Sequence, residues 1–347
     1  MRGTRVPTWL AGVTSVVLLA VGIPTLAQER SAPPASRVTA ADAAQDQALL
    51  AFQRDLVSVL ALRAEAQPLL AAALLARPLA AQPAPLSFHE LIKRAAAAPG
   101  FGPAVTWARL ADCTSTPGQC PNPDAGKALV QEAPDNAAVW LLKLGVDVRA
   151  RDHAAAREDL ARAAAAKVYD DYVGTGLEAL AKTVGTLPPP AATLDPTYAS
   201  GALATQVMLV FGLGHTLPQP ALQVAAKLCT APDAEADTKA DCLKLGKTLE
   251  WGSSPLARSL GLHLRETLAP DPAQQSAAAQ ERVNLAWQVQ SFAKLNARAL
   301  NERAVAQGLL SLARSGGTEM SLMLAALRES QISTEAPVGW SPSSTKP

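Results

Sequence analysis

Four cysteines are the residues of this 347-residue chain whose spacing says most about chemistry. Cys113 and Cys120 flank a Pro-Gly turn, Thr-Ser-Thr-Pro-Gly-Gln. Cys229 and Cys242 flank a polar stretch, Thr230 to Asp241, with a helical pattern on each side. Neither pair has the two-to-four-residue spacing of a zinc knuckle, no histidine stands close in sequence, and no Cys-x-x-Cys redox motif occurs. An even number of cysteines in an exported chain reads as disulfides. The cost of closing long loops favours local pairing, Cys113–Cys120 and Cys229–Cys242, over the crossed pairings. The second bridge would staple a helix hairpin, and a loop of that length contributes about 3 kcal/mol.

Other motifs stop short of a working site. His89-Glu90 opens His-Glu-Leu-Ile-Lys, but a zinc-protease helix needs a second histidine where Lys93 stands, and a lysine repels the ion. Gly246-Lys247-Thr248 matches the end of a phosphate loop. Asp241 occupies the place of that loop's first glycine, and the surrounding residues are helical. Gly212-Leu213-Gly214 is part of a dinucleotide fingerprint, with Leu217 in place of the third glycine and no βαβ unit around it. These glycines are read as a left-handed helix end. Tyr169-Asp170-Asp171-Tyr172 sets two carboxylates side by side; on a helix they would point about 100° apart. A solvated cap between two hairpins is the reading there, with a calcium or ligand site as the alternative. The histidines, His89, His153, His215 and His263, are scattered, and no Gly-x-Ser-x-Gly occurs. The expectation is no catalytic residue, no metal and no cofactor.

The elements that position these residues follow from composition. Alanine and leucine dominate, aromatics are 4%, and β-branched residues are sparse. Alanine and leucine are the best helix formers, and strands call for the types that are scarce. The fold class is therefore all-α, built of stacked helical hairpins with no significant β-sheet. The chain opens with Arg2 and Arg5, an apolar run from Trp9 to Val21, and Thr25-Leu26-Ala27. This is the three-part pattern of a signal peptide, residues 1–27, with a periplasmic or secreted destination. An uncleaved membrane anchor is the rival, although the run is shorter than the roughly 20 residues a span needs. Without that segment the chain holds 29 basic and 30 acidic residues, a net charge of −1. That balance lacks the basic stripe that nucleic acid requires, and no membrane span is expected after cleavage.

Residues 28–40 form a small, Pro-containing leader. A helical region spans 41–184, where Leu49, Phe52, Leu56 and Leu60 mark one apolar face. Pro68 is expected to kink or end that first helix, and a mostly buried helix follows. Ser87 with Glu90 makes a capping box for the next. Residues 185–200, with three consecutive prolines, are a stiff connector. Helices are expected at 202–211, 220–228, 236–251, 255–268, 274–300 and 318–330 within a second helical region, 201–330. The tail, 331–347, is turn-rich, and Trp340 is the residue that can tether it.

Trp107 and Trp140 lie 33 residues apart, and Leu110-Ala111 and Leu144-Gly145 lie 34 apart. A period of this size marks arrays of helical hairpins. Residues 134–164 resemble a degenerate tetratricopeptide repeat. Trp140, Leu144 and Gly145 fill the aromatic and Leu-Gly places of its first helix. Ala156, Leu160 and Ala163 fill the small–large–small places of its second. Trp140 stands one residue too close to Gly145, the turn is one residue short, and Arg151 and His153 replace its Gly and Tyr. A generic helical hairpin is the alternative. The resemblance implies a concave surface that binds a protein or peptide, with Arg149, Arg151, Arg157, Tyr169, Asp170, Asp171 and Tyr172 as candidate contacts. The function expected is an exported binding scaffold without catalysis. A structural envelope protein held by an uncleaved N-terminal helix, or an exported hydrolase with a site assembled from distant residues, are the alternatives.

Overall fold

The computed structural model describes residues 40–113 and 120–342, with the side chains of 40–42 and 113 excepted. The signal-peptide and leader readings, the Cys113–Cys120 pairing and the end of the tail lie outside the described residues. Fifteen α-helices stand among the described residues: α1 (Ala40–Leu60), α2 (Ala66–Ala76), α3 (Phe88–Ala97), α4 (Pro103–Cys113) and α5 (Ala125–Glu132) come first. Next are α6 (Ala137–Ala150), α7 (His153–Ala165), α8 (Val173–Thr183), α9 (Ala202–Gly214) and α10 (Leu222–Cys229). The series ends with α11 (Ala236–Leu249), α12 (Pro255–Leu268), α13 (Pro272–Ala299), α14 (Arg303–Arg314) and α15 (Glu319–Glu329). The described residues contain no strand; one isolated bridge joins Asn136 to Val168. The fold is all-α, and none of these helices is long and apolar enough to cross a membrane.

Local chemistry sets the helix ends. Asn136 accepts from the Ala138 amide (3.0 Å) to start α6, and Asp152 accepts from Ala155 (3.0 Å) to start α7. Such caps satisfy amides that the first helical turn leaves without partners. Between them Arg151 takes a left-handed φ of 59°, which turns the chain back into an antiparallel hairpin. Ala156, Leu160 and Ala163 of α7 and Leu144 of α6 are all buried. The sequence Leu-Lys-Leu-Gly recurs at 142–145 in α6 and at 243–246 in α11. In α11 it ends at the close approach to α12, where a Cβ on Gly246 would lie 3.1 Å from Leu264 and 3.2 Å from the Gly261 carbonyl.

Packing proceeds from neighbour to neighbour. α6 lies on α7, α7 on α11, α11 on α12, and α12 on α13. A second set has α2 at its centre, against α1, α3 and α8, while α8 in turn meets α9 and α14. Nine of the eleven residues of α2 are buried, as expected for a helix enclosed by others. One core runs from Phe52 to Ala326, on both sides of residues 185–200. Thr193 in that stretch is buried, in a 3-10 turn that packs on α1. A smaller apolar cluster, including Leu262, Leu285 and Met323, joins α12, α13 and α15.

Several local expectations are corrected. Pro68 neither kinks nor ends the first helix; α1 stops at Leu60 and Pro68 sits in the first turn of α2, where a missing N–H leaves no broken bond. Ser87 caps the Glu90 amide (3.3 Å), but the reciprocal half of the capping box is absent. The Ser87 amide is already bonded to Ala84 (3.1 Å), and the Glu90 carboxylate turns to Lys93 (3.4 Å). Gly214 provides no left-handed cap: a Cβ there would stand 2.4 Å from Leu177, so the glycine serves the close contact of α9 with α8. Trp107 and Trp140 occupy unlike settings. Trp107 is fully buried, bonded to the Pro218 carbonyl (3.1 Å) and edge-on to Tyr172 (5.4 Å). Trp140 is half-buried, bonded to the Pro134 carbonyl (2.7 Å) with Arg162 over its ring. Helices α5, α8 and α14 were not distinguished by the sequence pattern.

Candidate functional site

Tyr169-Asp170-Asp171-Tyr172 is not a solvated cap. Tyr169 is 4% exposed, Asp171 2% and Tyr172 9%; Asp170 is half-buried. The segment is not helical, and Tyr172 takes a left-handed φ of 57° as the chain enters α8, so its neighbouring carboxylates face different partners. The Asp171 carboxylate accepts from Ser253 Oγ (2.9 Å) and the Tyr169 hydroxyl (3.4 Å). Asn136 accepts from the Asp170 amide (2.9 Å) and donates to the Asp170 carbonyl (2.7 Å) and the Tyr172 hydroxyl (3.2 Å). The physical reason for burial is this set of partners, 34 to 82 residues away in the chain, which replaces water. Burial raises the pKa values of Tyr169, Asp170 and Tyr172.

Two further ionisable groups converge there. Glu319, the first residue of α15, places Oε1 3.8 Å from Nε2 of His215, which caps α9. The Met320 amide donates to the Ser253 carbonyl (2.9 Å), tying α15 to the same turn. Burial, reinforced by the Asp171 charge, pushes the Glu319 carboxyl up to about 8. Burial holds the His215 imidazole below its ordinary value against the opposing pull of Asp171. Both shifts favour the neutral form of these groups at pH 7.

The folded-state value of Glu319 lies above its ordinary 4.5. Its contribution is full below pH 4.5 and is lost as pH rises through about 8. Stability against urea should therefore fall from about pH 4.5 to about pH 8 and level off above it, and Glu319→Gln should flatten that fall. An equal fall in the variant would assign the effect elsewhere.

The remaining candidate contacts are scattered. Arg149 and Arg151 are exposed at the end of α6, and Arg157 pairs with Glu235 (3.0 Å). Beneath them Lys143 bridges Asp147 (2.8 Å) and the buried Asp159 (2.9 Å). Burial raises Asp159 to about 6. His89 Nδ1 meets Asp112 (2.8 Å), which also accepts from Asn122 (2.8 Å). Cys229 and Cys242 are bridged, with Cα atoms 5.6 Å apart, joining the last residue of α10 to the middle of α11. Among the described residues no three His, Cys, Asp or Glu side chains are grouped to hold a metal ion.

Two hollows open in the C-terminal third. A hollow of about 240 Å³ opens between α13, α14 and the end of α15, lined by Leu295, Val305, Gly308, Leu309 and Glu329 among others. A second, of about 440 Å³, lies between α13 and residues 331–333, beside Trp287 and Lys294. Leu295 and Arg298 line both, so the two form one groove along α13. The tail builds the outer wall: the Ser333 carbonyl accepts from Trp287 (2.8 Å), the Thr334 carbonyl from Gln288 (2.8 Å), and Trp340 stacks edge-on against Trp287 (5.5 Å). The sequence reading placed its candidate contacts on α6, α7 and the buried loop and did not find this groove. The signal that marks it is Gly308 in mid-α14. A Cβ added there meets only Glu329, at 3.9 Å, so no close packing accounts for the glycine. Comparison with known proteins finds no matching family model, no matching curated protein and no matching solved structure.

Proposed function

We propose that this chain is an exported helical scaffold of tetratricopeptide-like hairpins that binds a protein or peptide and performs no catalysis. The observation that carries this reading is the groove along α13, with an apolar floor and a charged rim. Concave sites with apolar floors and a few polar groups are where ligands settle, and stacked hairpins characteristically supply such surfaces. The Leu-Lys-Leu-Gly recurrence in α6 and α11 supports two related hairpin units. The Cys229–Cys242 bridge supports a destination outside the cytosol. The arrangement of Glu319, His215 and Asp171 adds little to a hydrolase reading, because Asp171 is turned to Ser253 and Tyr169 and serves the fold.

Panning the oxidised full chain against a displayed peptide library tests the proposal. Enrichment of a peptide family that binds the folded chain and not the urea-unfolded one is expected. Failure to enrich any sequence above the unfolded control would reject it.

A further inference from the structure

The rim of the groove carries two charges that the rest of the protein leaves unused. Lys294 lies in the hollow beside the tail and Glu329 in the hollow beside α14. Neither has a hydrogen-bond or ion-pair partner among the described residues, whereas the neighbouring Arg298 is committed to Glu302 (2.7 Å). Between them the floor is apolar: Leu295, Leu309 and Ala326 are buried, with Val305 and Ile332 half-buried at the sides. The hollow beside the tail follows α13 from Trp287 to Arg298, about 16 Å at 1.5 Å per residue, with Lys294 inside this run.

We infer that the groove takes a short peptide segment of mixed charge, apolar at its centre, with a carboxylate set against Lys294 and a cation against Glu329. This inference rests on the binding reading above and names its ligand class. An anionic lipid surface fits less well, since Glu329 would face it, and nucleic acid would meet one free cation where it needs many. Complementary charge at the two ends selects the partner by rejecting like-charged ones as much as by attracting the right one.

The test uses three end-capped, fluorescein-labelled peptides, Glu-Leu-Leu-Leu-Lys, Lys-Leu-Leu-Leu-Lys and Glu-Leu-Leu-Leu-Glu, titrated by anisotropy against the oxidised full chain. The mixed-charge peptide should bind about fivefold tighter than either like-charged one, the size expected of one exposed ion pair. Lys294→Glu, an exposed change that leaves the fold intact, should shift the preference to Lys-Leu-Leu-Leu-Lys. Gly308→Leu, which fills the inner hollow, should weaken all binding while circular dichroism stays unchanged. Equal binding of the three peptides, or no response to Lys294→Glu, overturns the charge assignment. Binding that survives Gly308→Leu in a folded variant overturns the location. In either case peptides enriched by panning would leave the scaffold reading standing, and only an empty panning experiment rejects both. A concentration-dependent dimer dissolved by Gly308→Leu would make a second copy the occupant and overturn the peptide assignment.

Discussion

Gly174→Ala will destabilise the protein by about 3 kcal/mol or more, near the upper end of what overpacking costs. Gly174 is the second residue of α8, and a Cβ there would stand 2.0 Å from the Gly317 carbonyl oxygen and 2.9 Å from Thr318 Cα. Every close atom is backbone, so no rotamer change relieves the contact. The opposing loop has little freedom to retreat. Gly317 holds φ at 105°, a conformation that side chains disfavour, and the next residues are tied down by the Thr318 cap and the Met320–Ser253 bond. Helix propensity works in the other direction, since alanine outperforms glycine in a helix by up to about 1 kcal/mol. Gly308→Ala, in mid-α14 with open space around it, isolates that term and should be neutral or stabilising. Urea denaturation of the two variants measures the difference. A Gly174→Ala protein as stable as the parent would show that α15 does not seat on α8 in this way.

Removing the Cys229–Cys242 bridge by replacing both residues with alanine should cost about 3 kcal/mol, the chain-entropy value for a loop of this length. The bridge spans 13 positions, and both cysteines are fully buried in the main core. Loss of the covalent link frees the unfolded chain, and it also leaves a small cavity where the sulfurs packed. The double variant avoids a lone thiol that would exchange with other cysteines. Its thermal midpoint should drop by several degrees, and a reducing agent should no longer lower it through this bridge. An unchanged midpoint would mean that the α10–α11 turn is held by packing alone.

The helical class was legible because it depends on composition, and composition is local. The range expected for residues 255–268 agrees with α12, whose proline stands in the first turn, where its missing N–H breaks no bond. The Cys229–Cys242 pairing was legible for a similar reason, since the short loop between the cysteines keeps them near each other. Helix α14 was overlooked although Ala306, Leu309, Leu310 and Ala313 form a regular buried face.

Burial of charge was not legible. Two adjacent aspartates between tyrosines read as a wet turn, yet Asp171 lies inside the protein because Ser253, 82 residues later, supplies its hydrogen bond. The groove was hidden for the same reason: its walls come from α13, α14, α15 and the tail, and no one of them is concave alone. Sequence by itself determined that the chain is helical and that one pair of cysteines closes a short loop, because both follow from neighbours along the backbone. Tertiary structure decided which carboxylates leave water, where glycines let backbones touch and where a cleft remains, because each depends on partners that only packing brings together.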